Sequence, residues 1–191
     1  GAGDDIEPAV GSLDLETTGA GAIAINEADG VTLENVVTTD GPVNVRTGAS
    51  GDVTVYTVTS GDAGAAESHD VTITVNSGGG DLLIGDGSGT AGQITADNAA
   101  ILSADGGSIS DNNGLSPHVD AVSLDATAQN AIGAISQFPA NGNGWTANGS
   151  PIDVTIATLT QASTSADNSE IYLDETDAVT VSGSGLSPGG A

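Results

Sequence analysis

The sequence predicts an all-β protein, a parallel β-helix (β-solenoid) with coils of about 20 residues. Three observations predict it. Glycines return at Gly11, Gly21, Gly30, Gly41, Gly51 and Gly61, close to one in every ten residues along the first third of the chain. A short alternating apolar run follows each of the first five: Leu13 and Leu15, Ile23 and Ile25, Val31 and Leu33, Val43 and Val45, Val53 and Val55. Third, the only aromatics are Tyr56, Phe138, Trp145 and Tyr172, so a core must be built from Val, Ile, Leu and Ala. Such side chains fit thin stacked layers better than a bulky globular interior.

The elements follow in chain order. Residues 1–9 read as an amino-terminal arm, and 10–135 as solenoid repeats. Within 10–60 each unit runs from glycine through an alternating apolar pair to Thr, Asn, Asp or Ser. Period-two alternation sends one side chain inward and the next outward, which makes these strands. Asp29-Gly30 and Asp40-Gly41 supply turn chemistry between them. Two ten-residue units then close one coil, and each strand pairs in parallel with its equivalent one coil away, leaving open edges only at the ends. After Gly61 the period loosens. Residues 62–70 read as a protruding loop before Val71–Val75, further strands follow around Leu82–Ile84, Ile94, Ile101 and Ile109, and another loop covers 111–118. Weaker strands surround Leu124 and Ile132, and residues 136–151 form an inserted loop. The solenoid resumes over 152–183, and 184–191 has the composition of a linker. The rival architecture is an immunoglobulin- or cadherin-like β-sandwich, whose strands also recur at this spacing. Against it stand the absence of a Cys–Trp–Cys core and the scarcity of large residues to fill the space between two sheets.

Charge excludes several functions. There are 26 acidic residues and one cation, Arg46, for a formal net charge of −25. Nucleic-acid binding needs Lys and Arg to displace counterions, so no nucleic-acid partner is expected. An anionic membrane surface is disfavoured for the same reason, and no run of 18 apolar residues offers a spanning helix, so no membrane insertion is expected. With no cysteine there is no disulfide, thiolate metal site or cysteine nucleophile. The chain opens at Gly1 without Met, which reads as a processed product or an excerpt of something larger.

Gly51-Asp-Val-Thr-Val-Tyr-Thr-Val-Thr-Ser-Gly61 and Ala96-Asp-Asn-Ala-Ala-Ile-Leu-Ser-Ala-Asp-Gly-Gly-Ser-Ile-Ser-Asp111 resemble the repeats of giant secreted bacterial β-strand-repeat proteins. They are similar to adhesins of the filamentous-haemagglutinin type. The resemblance covers residues 10–110 and extends loosely over the remainder. It implies a right-handed parallel β-helix at the cell surface, and it carries no catalytic residues over.

Gly78-Gly-Gly-Asp-Leu-Leu-Ile-Gly-Asp-Gly-Ser-Gly89 looks like one copy of a glycine-rich calcium repeat. Asp81 and Asp86 would be the carboxylate ligands for Ca²⁺, because tight glycine turns gather hard oxygen donors. The same residues also read as an ordinary glycine-rich corner. Asp174, Glu175 and Asp177 read as a solvated turn or a cation site between subunits, and Asp4, Asp5 and Glu7 as a frayed terminus. His69 and His118 have Asp70 and Asp120 nearby, with Ser116 close to the latter, but sequence adjacency does not make a catalytic triad. Trp145 and Phe138, in the 136–151 loop, are the ligand-contact candidates, since an exposed aromatic can stack on a sugar. The alternative is that they fold back as a plug. Asn148-Gly-Ser fits a glycosylation sequon followed directly by Pro151. Arg46 reads as a surface residue among carboxylates, or as a bridge to acidic groups of a neighbouring subunit.

These readings combine into an expectation: a non-enzymatic structural segment of an exported bacterial surface protein, extracellular and at the cell surface, stacking as a stalk, adhesin or filament. Its partners would be neighbouring copies or flanking repeats end to end. The alternative is an adhesin module that binds surface glycans or proteins, with calcium as a stabilising ion rather than a required cofactor.

Overall fold

The computed structural model of this chain describes residues 6, 9–48, 51–61, 69–76, 78–86, 90–111, 118–133, 151–167 and 169–188. The strands are β1 Ser12–Ala20, β2 Ile23–Glu27, β3 Val31–Asp40, β4 Val43–Thr47, β5 Val53–Val55, β6 Thr57–Ser60, β7 Val71–Val75 and β8 Leu82–Ile84. They continue as β9 Gln93–Ala96, β10 Ala99–Ala104, β11 Ile109–Asp111, β12 Val119–Ala128, β13 Ile152–Thr164, β14 Leu173–Glu175 and β15 Thr180–Ser187. The chain is all-β, with no helix among the described residues. Every strand pair is parallel. That is the pairing of a solenoid. A sandwich would need antiparallel neighbours.

Three faces, not two, close each turn of the chain. Face A stacks Ile6, β2, β4, β7, β10, the end of β12, the end of β13, and β15. Face B stacks the starts of β1 and β3 with β5, β8, β11, Ile132 and Ile171. Face C stacks the remainder of β1 and β3 with β6, β9, the starts of β12 and β13, and β14. The glycine beat marks only two of the three corners, C to A and A to B. The third has no glycine in the first coils, because Leu33-Glu34-Asn35-Val36 bends within the single strand β3. The twenty-residue period therefore spans three faces at its start and lengthens later. Ile23 pairs with Val43 and Val31 with Val53, but Val58 pairs with Ile94 and Ile132 with Ile171.

The core is a set of aliphatic columns running along the rod. Face A sends in Ile25, Val45, Ile73, Leu102, Ala126 and Ala162, one per rung. Face B contributes Val31, Val53, Leu82, Ile109 and Ile132, all buried. Val36, Val58, Ile94, Val119 and Val154 do the same on face C. Burying each Val, Leu or Ile of these columns contributes about 1.5–3 kcal/mol relative to exposing it. Small side chains let the three faces approach closely, and the glycine corners are closer still. A Cβ on Gly41 would collide with the carbonyl of Gly21, and one on Gly80 with the carbonyl of Gly51.

Pairing also reaches into both segments read as unpaired. Ile6 of the amino-terminal arm bridges to Ile25, with Ile6 N–H donating to the carbonyl of Ala24 at 2.8 Å. At the other end β15 runs to Ser187, because residues 185–187 continue the ladder on β13 despite their linker-like composition. Partnering by a neighbouring strand, which composition does not register, decides both cases.

Candidate functional site: the corner that carries the insertions

The corner between faces B and C carries three insertions, whereas the corner from C to A carries one, between Ser60 and Val71. In the coil of β5 and β6 it is a single residue, Val55-Tyr56-Thr57. One coil on, Gly85 N–H donates to the Val55 carbonyl at 2.8 Å and Gln93 N–H to the Tyr56 carbonyl at 2.9 Å. Residues 86–92 are thus inserted between two positions that are adjacent in the coil below. The base of the insertion is pinched, since a Cβ on Gly92 would run into Gly85 and the Val55 carbonyl. The next coil inserts 112–117 between Asp111 and His118. The one after inserts 134–150 between Gly133 and Pro151. Then the corner closes again at Ile171-Tyr172-Leu173, where Tyr172 N–H donates to the Ile132 carbonyl at 2.7 Å and Ile152 N–H to the Tyr172 carbonyl at 3.1 Å. Two tight tyrosine corners therefore bracket three consecutive insertions on one edge of the rod.

Tyr56 reaches into the first insertion. Its hydroxyl donates to Asp86 Oδ2 at 3.2 Å, and Asp86 Oδ1 accepts the Thr90 N–H at 3.2 Å. Desolvation raises the Tyr56 phenol above its ordinary value near 10, and the hydrogen bond to Asp86 and the charges of Asp86 and Glu34 raise it further. Phe138 and Trp145 belong by sequence to the 134–150 insertion. They lie outside the described residues, as do Asn148, Ser116, Asp4, Asp5 and Glu7. All four aromatic residues of the chain therefore map to this one corner, two on described rungs and two within the longest insertion.

Below the second insertion lies a histidine between two carboxylates. His118 is fully buried, and Asp111 takes the inward place on face B where the coil before has Ile84. His118 Nε2 stands 3.2 Å from Asp111 Oδ1, so the pair ties together the two ends of the 112–117 insertion. Nδ1 accepts the Asp153 N–H at 3.2 Å and lies 3.9 Å from Asp153 Oδ2. The buried His118 links neighbouring coils through Asp111 and Asp153. His69 does similar work at the corner between C and A, with Nε2 2.9 Å from Asp40 Oδ1 and its carbonyl accepting the Ser60 hydroxyl at 2.9 Å. The sequence suggested Asp70 and Asp120 as partners because they were near in the chain. The structure pairs these histidines with Asp40, Asp111 and Asp153 because neighbouring coils stack there.

The two candidate calcium ligands sit at opposite ends of β8. Asp81 precedes it and Asp86 follows it. Asp81 Oδ1 accepts the Ser108 N–H of the next coil at 2.7 Å, while Asp81 N–H donates to Asp52 Oδ1 of the coil before at 2.9 Å. Asp86 serves Tyr56 and Thr90. Among the described residues no group of three or more His, Asp or Glu side chains gathers to hold a metal ion. Asp174, Glu175 and Asp177 lie near the carboxyl end, where Glu175 Oε2 accepts the Ile156 N–H at 3.2 Å.

No family model, curated protein or solved structure matches the chain.

A use for acidity that composition alone did not suggest is visible at the corners. Asp70 Oδ1 accepts from Ala99 N–H at 3.1 Å and Asn98 Nδ2 at 2.7 Å, Asp52 and Asp81 form the chain of bonds given above, and Glu27 Oε1 accepts the Ala28 N–H at 2.9 Å. Turn backbone leaves N–H groups that the ladder does not reach, and short carboxylates satisfy them. For Asp52 and Asp81 the sequence signal was present as an Asp directly after a glycine.

Proposed function

We propose that this chain is a non-enzymatic structural segment of an exported bacterial surface protein. It stacks end to end in a stalk, adhesin or extracellular filament, on a coil of about 20 residues that insertions have widened. The observation that carries this reading is the carboxyl end of the rod. There the columns open into an apolar mouth of about 250 Å³ lined by Val154, Ile156, Leu159, Ile171 and Leu173. Val181 and Leu186 beside it are 57% and 59% exposed. At the other end Ile6 and Val10 are 45% and 42% exposed. A parallel edge accepts a strand running in the same direction, so amino end on carboxyl end continues the ladder. In this role the rod needs no cofactor, and calcium would serve only to bridge surface carboxylates.

Electron microscopy and sedimentation of the 191-residue chain test the reading, with Val181→Asp/Leu186→Asp as the control. The expected result is rods longer than one chain for the parent and single particles for the variant. A parent that stays monomeric at high concentration rejects stacking.

One observation favours a second reading, an adhesin module for surface glycans or proteins: the three insertions and all four aromatics share one corner. Insertions on one face of a repeat array commonly form its binding face. Trp145→Ala that binds immobilised glycans as well as the parent counts against it.

A further inference from the structure

Arg46 is the only Lys or Arg in a chain with 26 acidic residues, yet it makes no ion pair or hydrogen bond among the described residues. It points outward and exposed from β4 on face A. The rung before offers Ala24 and Asn26 at the outward positions, its own rung Asn44, and the rung after Thr72 and Thr74. These six residues line a groove of about 260 Å³. Among the described residues no outward position on β2, β4, β7 or β10 is acidic, and toward the carboxyl end the first outward carboxylate on this face is Asp125, three rungs beyond Arg46. Among the described residues Arg46 therefore has no outward carboxylate on its own rung or on either adjoining one. Among the described residues the outward positions of face A around this guanidinium are neutral, while Asp52, Asp70 and Asp81 accept turn N–H groups at the corners.

A guanidinium presents five N–H donors in a rigid fork that matches the two oxygens of a carboxylate. The flanking amides and hydroxyls both donate and accept, which suits the hydroxyl groups of a sugar ring. A polyphosphate is a poor fit, since one cation cannot neutralise it. We propose that this groove is a binding site for a carboxylated sugar, a single glycuronate unit. Arg46 takes the carboxylate in a bidentate pair, while Asn26, Asn44, Thr72 and Thr74 meet the ring hydroxyls. The site lies on the side of the rod and does not depend on how the ends stack.

The test is titration of the 191-residue chain with digalacturonate and with the neutral galactose disaccharide, followed by amide NMR shifts. The parent is expected to bind the acidic disaccharide with shifts centred on Asn44, Arg46, Thr72 and Thr74. Arg46→Gln is expected to weaken that binding at least tenfold with an unchanged melting curve, because the side chain is exposed and unpaired. Arg46→Lys should retain part of the affinity, and the neutral disaccharide should bind far more weakly than the acidic one. Absence of binding by the parent, equal binding by Arg46→Gln, or equal affinity for the neutral sugar overturns the proposal. Self-association lost in Arg46→Gln by sedimentation velocity also overturns it, by assigning the groove to a carboxylate of a second copy.

Discussion

Between residues 23 and 60 the chain rounds the corner from face B to face C within one or two residues, whereas between 71 and 156 it keeps the same faces and opens that corner three times. The columns do not register the difference. Val53 stacks on Leu82, and Val58 on Ile94, although the second pair is separated by seven more residues than the first. Register is set by the ladder and by which side chains point inward, so a corner can lengthen freely provided its base returns to the same two rungs. A glycine corner lengthens more rarely: the corner from C to A grows once, where Thr38 to Val43 becomes Ser60 to Val71, and elsewhere, as at Gly41 on Gly21, the backbones lie in contact.

This contrast is open to breakage. Gly41→Ala adds one carbon against the Gly21 carbonyl and should cost about 1–3 kcal/mol, read as a lowered urea midpoint with an unchanged slope. Replacing residues 85–92 with a single tyrosine, to copy Val55-Tyr56-Thr57, removes a whole insertion. It should change stability by no more than about 1 kcal/mol, since loop length enters closure entropy only logarithmically and neither of the lost hydrogen bonds of Asp86, from Tyr56 and Thr90, is fully buried. A larger loss from the deletion than from Gly41→Ala would mean that the insertion, and not the ladder, holds this corner.

The smallest effect is electrostatic. The Tyr56 phenol has its pKa raised in the folded chain, so it keeps its proton to higher pH there than when unfolded. Its contribution to stability is complete below the unfolded value near 10 and is lost as pH rises through the folded one. Asp86→Asn should lower the Tyr56 midpoint in an ultraviolet titration without restoring it fully, because desolvation, the larger cause, remains. An unchanged midpoint would show that Asp86 does not reach the phenol.

The strands, their parallel pairing and the inward residues were readable because alternation and glycine spacing are local signals. The third face was also written in the sequence, but as a slip of phase: Leu33 to Val36 and Val55 to Val58 are three apart where period two continues on either side. No glycine or proline marks that bend, so β3 reads as one strand. Partners lying some thirty residues apart were beyond reach. Nothing near His118 in sequence indicates that Asp153 will be its neighbour. The groove around Arg46 was hidden likewise, because a sequence rich in Asp does not announce that the carboxylates are held at corners.

The unequal lengths of the coils give the rod a graded response to force. Each coil touches only those beside it, so a chain pulled from one end would peel coil by coil. The turn from Ile6 to Ile25 would release roughly 65 Å of extended chain, and that from Ile132 to Ile171 roughly 130 Å. Slack is thus stored unevenly along the axis, with the longest reserve near the carboxyl end.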